Sequence, residues 1–209
     1  MNEKEFNVLR YLYENSESVT QRIVAEELKI SLGTVNTIIT NLVEEKLVTK
    51  EYKLTSKAHE ELDKFKVDNA IILAAGMSTR FVPFSIEKPK GLTVVKGEVL
   101  IERQIRQLLE AGVEEIVLVL GHMMEKFLYL REKYNVKIVV NNEYRYKNTH
   151  SSMFFAKEYL KNSYVCCADN YFSKSVFHRY EYHSLYSTVF MEGIWRGERG
   201  VTSDKEGLI

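Results

Sequence analysis

The hydrophobic pattern changes its period once along the chain, near Lys66, and that change limits the folds open to it. Before Lys66, apolar residues recur at intervals of three and four, the spacing of amphipathic helices. Beyond it, short apolar runs alternate with helical stretches, the rhythm of a mostly parallel, Rossmann-like α/β sheet. Two domains are therefore expected, residues 1–66 and residues 67–209, joined through the lysine-bearing stretch Asp63 to Asn69. A length of 209 residues accommodates two modest cores, and no internal repeat or low-complexity tract competes with this division.

In the first segment Phe6, Leu9, Leu12 and Tyr13 share one helical face, and Thr20 is placed to cap a second helix carrying Ile23, Val24 and Leu28. A third helix follows Ser31. Val35, Ile38, Ile39, Leu42, Val43 and Leu47 form its apolar stripe, and Thr34, Asn36, Thr37 and Asn41 its polar face. Two short extended pieces, LVTKE and YKLT, and a helix from Ser56 complete the segment. The series resembles a winged helix-turn-helix domain of bacterial regulator type, which implies a third helix presented to a DNA groove. Charge gives DNA binding only weak support. Residues 1–66 hold ten Lys plus Arg against twelve Asp plus Glu, whereas affinity for DNA grows with the number of phosphates neutralised. An interdomain or dimerising role is the plainer reading.

The whole chain is neutral, with 29 basic and 29 acidic residues, which excludes a generally polycationic nucleic-acid binder. No stretch reaches the roughly 18 apolar residues of a membrane span, and the charged N-terminus lacks a cleavage site, so a cytoplasmic protein is expected. Cys166 and Cys167 are neighbours inside an apolar run, a spacing unsuited to a simple disulfide or a zinc knuckle, and read as buried thiols.

The segment Ala70-Ile-Ile-Leu-Ala-Ala-Gly76-Met-Ser-Thr-Arg80 carries the chemistry. It is an apolar strand entering a turn of small residues that ends at an arginine. Ala74, Ala75 and Gly76 leave the backbone bare, so N–H groups can approach phosphate oxygens, and Arg80 adds a charged fork. The turn is neither a Walker loop nor a dinucleotide fingerprint, since the Gly-Lys-Ser/Thr and the further glycines are missing. Pro89 then stiffens the chain before a second cation, Lys90, ten residues after Arg80. Further along, Glu115 to Gly121, Val136 to Asn142 and Tyr164 to Asn170 read as strands, the last delivering Asp169 at its C-terminal end. Open α/β sheets bind ligands at that edge, and a carboxylate there suits Mg²⁺ shared with triphosphate oxygens.

LAAG followed by Arg80 and then Pro89-Lys90 resembles the nucleotidyltransferase superfamily that makes nucleoside-diphosphate sugars and alcohols. The resemblance implies that Leu73, Ala74, Ala75 and Gly76 wrap a nucleoside triphosphate, that Arg80 and Lys90 are catalytic cations, and that Asp169 holds the metal. Ser78 stands where that family often has a second glycine. The stretch from Asn141 through Asn148, Ser151 and Ser152 to Asp169-Asn-Tyr narrows the likeness to the CTP:phosphocholine cytidylyltransferases. It implies Asn148, Ser151 and Ser152 near the base and ribose; capping of the following helix is the plainer reading for the serines.

Fourteen of the chain's aromatic residues fall between Tyr144 and Trp195. Aromatic faces hold quaternary ammonium groups by cation–π attraction, so Tyr171, Tyr182, Tyr186 and Trp195 are candidates for an acceptor cage. The implied reaction is Mg²⁺-dependent transfer of CMP from CTP to phosphocholine or a similar phosphorylated amino alcohol, with release of pyrophosphate. A sugar-1-phosphate nucleotidyltransferase and a ligand-sensing winged-helix regulator are the alternatives. Beyond Met191 the chain reads as half a hairpin where the resembled enzymes continue. This implies a catalytic domain incomplete at its C-terminus, able to lack activity, with an open sheet edge that favours homo-oligomers.

Overall fold

The computed structural model describes residues 1–15, 19–147 and 149–184 of the chain. Four helices open the fold: α1 (Glu3–Glu14), α2 (Gln21–Leu28), α3 (Leu32–Glu44) and α4 (Ser56–Asp63). Each begins where a side chain satisfies an orphan N–H. Asn2 and Glu5 form a capping box on α1, and Thr20, Ser31 and Thr55 accept from the N–H groups of Ile23, Thr34 and Ala58. Such caps are worth about 1 kcal/mol each. Val48 and Leu54 pair as the antiparallel bridge of a small wing. Phe6, Leu9 and Leu12 of α1 close over Val35, Ile38, Ile39 and Leu42 of α3 to form one core. In α2 the buried positions are Val24 and Ala25, while Ile23 is 40% exposed.

The remainder builds β1 (Asn69–Ala74), β2 (Val94–Val95), β3 (Glu98–Val99), α5 (Leu100–Glu110), β4 (Glu115–Leu120), α6 (Tyr129–Tyr134), β5 (Lys137–Val140), α7 (Thr149–Phe155) and β6 (Ser163–Cys167). The short pair β2 and β3 is antiparallel and leads into α5. The four long strands form one parallel sheet in the order β5-β4-β1-β6. Parallel strands covered on both faces need apolar residues at consecutive positions, and NAIILA and EIVLVL supply them. Ala70, Ile72, Ile116, Leu118 and Leu120 face the side covered by Ile101, Ile105 and Leu108 of α5. Ile71, Val117 and Val119 face the other, against Ala156 and Tyr159.

The chain leaves β1 for β4 and β5 on one side, then crosses back to place β6 on the other side of β1. The direction of winding therefore reverses between β1 and β6, the point where open α/β sheets form a crevice. Beyond β6 the chain turns back to the helical core. Tyr180 bridges Lys66 and is buried in that core, the Glu181 N–H bonds Phe65 O, and Arg10 of α1 pairs with Glu181 at 3.0 Å. A segment that follows the sheet in sequence thus completes the helical core. Among the described residues no helix is long and apolar enough to cross a membrane.

Gly91 shows how tightly the sheet edge is packed. A Cβ there would lie 2.9 Å from the Ala168 Cβ, whereas one at Gly76 would meet nothing within 4 Å. Gly91→Ala is expected to destabilise the protein by about 1–3 kcal/mol, and Gly76→Ala by less than about 0.5 kcal/mol. Urea unfolding monitored by circular dichroism measures both, and equal shifts in the two midpoints would contradict this packing.

Candidate active site

The small-residue turn leaves β1 at the sheet's C-terminal edge, and parallel register sets it beside the end of β6. Leu73 lies opposite Cys167, and the Ala168 N–H donates to Leu73 O at 3.0 Å, extending the ladder past the strand. Ser78 takes φ 53°, a left-handed conformation that glycine adopts without penalty, and the Ser85 hydroxyl donates to its carbonyl at 2.8 Å. The backbone thus makes at serine the bend for which the resembled family often uses glycine. Arg80 follows in a short 3₁₀ turn, and Lys90 opens another.

These residues line one cleft of about 350 Å³ that includes Leu73, Ala74, Ala75, Gly76, Arg80, Lys90, Ser152 and Asp169. Lys90 Nζ sits 2.6 Å from Asp169 Oδ2, and both side chains remain more than a third exposed. Among the described residues Arg80 has no carboxylate partner within 4.0 Å. Arg80, Lys90 and Lys147 give the wall three cations; Lys90 is paired with Asp169, and Lys147 with Glu143 at 2.7 Å, which leaves Arg80 as the unpaired one among the described residues. Such a wall attracts polyanions, and its charges act through less water than on an open surface.

Ser151 and Ser152 lie inside α7, and the buried Asn141 amide donates to their hydroxyls at 2.9 and 3.0 Å. They fasten α7 to the end of β5, and Ser152 also reaches the cleft wall while Ser151 does not. Tyr171 is not on the wall. Its ring already holds two of the protein's own cations, the Arg103 guanidinium at 5.1 Å and Lys96 at 5.7 Å from its centre. Tyr182 is corrected more sharply. It stacks on Phe65 at 5.2 Å and packs on Phe6 at 5.4 Å in the helical core, because the chain after β6 turns away from the cleft. Asn148, Tyr186 and Trp195 lie outside the described residues.

Several wall residues escaped the sequence reading. Tyr144 and Lys147 stand in the polar, aromatic-rich stretch before α7, where composition hints at a site without ranking positions. Gly91 adjoins the Pro-Lys pair, and its fit against Ala168 becomes evident only when β6 is paired. Phe127 carries no sequence signal at all.

The two cysteines differ. Cys166 is buried, and desolvation pushes its thiol up to about 12. Cys167, expected to be buried, is exposed on the cleft wall, since alternation along β6 turns it to the opposite face from Cys166. Desolvation and, secondarily, the Asp169 charge hold its thiol above the usual range, with Lys90 opposing.

A family profile described as a MobA-like NTP transferase domain matches residues 70–183, and a winged helix-turn-helix DNA-binding profile matches residues 1–49. The chain is 44% identical over 123 residues to the choline-phosphate cytidylyltransferase of Streptococcus pneumoniae (strain ATCC BAA-255 / R6), covering 59% of this chain and 54% of that protein. It is 43% identical over 104 residues to the 2-aminoethylphosphonate cytidylyltransferase of Lancefieldella rimae, covering 48% and 42%. Among solved structures, a CTP:phosphocholine cytidylyltransferase from Streptococcus pneumoniae aligns with a TM-score of 0.52 at 45% identity, over 53% of this chain and 49% of that one. The chain spans about half the length of the curated relatives it matches.

Because Cys167 is the exposed thiol, iodoacetamide is expected to label it in preference to Cys166, slowly at pH 7 and faster as pH rises through its raised titration range. Asp169→Asn removes a negative neighbour and frees Lys90, so it should lower that range and speed labelling at a fixed pH. Peptide mass spectrometry of labelling rates measures both effects; a slower Asp169→Asn rate would count against this electrostatic coupling.

Proposed function

Since the chain belongs to the MobA-like NTP transferase family, we propose that it binds CTP in the cleft and transfers CMP to phosphocholine or a closely related phosphorylated amino alcohol. The observation that carries this reading is the convergence of Arg80 and Lys90 with the sequence-distant Asp169 on one wall beside the Gly76 turn, around space for a polyanion. Identity above 40% to two cytidylyltransferases supports cytidine as the base. Their acceptors, by name, both pair a phosphorus oxyanion with an amine or ammonium group.

In this reaction a phosphomonoester oxygen attacks the α-phosphorus of CTP in line. A new P–O bond forms, the bond to the β-phosphate oxygen breaks, and pyrophosphate leaves with the electron pair. The attacking phosphate is already ionised, so no side chain has to remove a proton. The task is to bring two anions together, and the chain meets it by positioning and charge. The bare turn at Ala74, Ala75 and Gly76 lets N–H groups reach the phosphates, and Arg80 and Lys90 offset negative charge. Lys90 exchanges its contact with Asp169 for phosphate oxygens when nucleotide enters.

Asp169 presents hard oxygen ligands, and among the described residues no cluster of three or more His, Cys, Asp or Glu forms a dedicated metal cage. One carboxylate combined with triphosphate oxygens fits Mg²⁺, which characteristically keeps few protein ligands. Bound there, the ion would supply further neutralisation of the phosphates and the leaving group.

The test is a pyrophosphate-release assay of the 209-residue chain over CTP, UTP and dTTP, with phosphocholine, phosphoethanolamine and glucose 1-phosphate as acceptors, alongside calorimetric titration of each nucleotide. CTP with phosphocholine is expected to be the best pair and EDTA to abolish turnover. Lys90→Ala should lower kcat/KM about a hundredfold, equivalent to ~3 kcal/mol of transition-state stabilisation. Gly76→Ala should weaken CTP binding while leaving thermal stability in place. Undiminished turnover by Lys90→Ala, or equal affinity for all three nucleotides, would remove this assignment.

A further inference from the structure

The segment leaving β6 is held from one side by a single face of α5. Gln104 is 1% exposed, and its Nε2 donates to Cys167 O at 2.9 Å and to Asn170 O at 2.7 Å. On the same face Gln107 Nε2 donates to Phe172 O at 3.2 Å, and Arg103 donates to Phe172 O and Ser173 O, each at 2.9 Å. Three side chains at helical spacing thus capture four carbonyls between Cys167 and Ser173. Of these, the two taken by Gln104 bracket Ala168 and Asp169. The Asn170 N–H returns to Cys167 O at 3.2 Å, closing the bracket into a turn with Asp169 at its tip. From the other side Gly91 packs on Ala168.

We infer that Gln104 is a positioning residue that aims the Asp169 carboxylate into the cleft. A turn with both end carbonyls pointing inward concentrates negative partial charge, and one primary amide offers two N–H groups to two oxygens. No apolar residue of similar size supplies either donor, and a carboxylate would repel both carbonyls. The Gln104 Oε1 is buried without a hydrogen-bond partner among the described residues, so the amide is retained for its nitrogen. Outer contacts of this kind orient a metal-bearing carboxylate without touching the ion. The inference rests on the proposed role of Asp169 as the metal-bearing acid.

The experiment uses the full chain and Mn²⁺ as an EPR probe of metal binding in the presence of CTP, with CTP affinity measured separately in EDTA. Gln104→Met is expected to weaken Mn²⁺ binding about tenfold or more while metal-free CTP affinity stays within about twofold. Gln107→Met removes an equally buried amide from the same helix but one bonded beyond the Asp169 turn. It should lower the melting temperature and leave Mn²⁺ affinity within about twofold. Where Gln104→Met does not fold, Gln104→Asn keeps a neutral amide but draws it back from both carbonyls, and gives the same reading. Asp169→Asn separates the two levels of the argument. If it leaves Mn²⁺ binding unchanged, the metal-bearing role of Asp169 fails and Gln104 loses its proposed purpose. If Asp169→Asn loses the metal but the Gln104 variants bind as tightly as Gln107→Met, the positioning role alone is overturned.

Discussion

The parallel pairing of β1 with β6 is the constraint on which the rest of the molecule depends. It aligns Leu73 with Cys167 and carries the ladder one residue further to Ala168, so a turn of small residues and a turn bearing an acid end side by side. Everything charged in the cleft is placed relative to that edge. Lys90 meets Asp169 because Gly91 allows its loop to lie directly on Ala168, and Arg80 arrives on the continuation of the β1 turn. A register shift of one residue in β6 would exchange the exposed Cys167 with the buried Cys166 and turn Asp169 away from Lys90.

The same strand ties the cleft to the helical segment. The Tyr164 hydroxyl, five residues before Asp169, donates to Glu181 at 2.6 Å, and Glu181 pairs in turn with Arg10 of α1. Burial and the hydrogen bond to Glu181 hold the Tyr164 hydroxyl above the ordinary tyrosine range. His178 adds a contact to Glu14 at 2.7 Å from the same returning segment. The winged-helix segment is therefore fixed to the strand that bears the acid through directional bonds as well as apolar contact. The exposed face of its third helix presents Asn36, Thr37 and Asn41 and no cation, which leaves the phosphate term of DNA affinity to other surfaces.

Sequence reading succeeded where a local rule was sufficient. Thr20 and Ser31 cap their helices as hydroxyl residues ahead of an apolar stripe should, and each long strand stands where an apolar run predicts it. Arg80, Lys90 and Asp169 were singled out by residue type and by their place just past a strand, and the fold brings all three to one cleft. The aromatic reading failed for Tyr171 and Tyr182, since composition says how many rings a segment holds and nothing about which way the chain turns. Tyr182 is consumed by Phe65 and Phe6, and Tyr171 by Arg103 and Lys96.

What the sequence by itself determined was the set of elements and the chemistry available at strand ends, because hydrophobic period, capping and charge act between residues close in the chain. Only the tertiary structure decided which of those groups meet. The choice of β6 as the neighbour of β1, the amide of Gln104 under the Asp169 turn, and the return of Tyr180 to the helical core all join positions many tens of residues apart. Such contacts are selected by the joint packing of both sheet faces and by the need to satisfy buried carbonyls, and neither is written in any local stretch of residues.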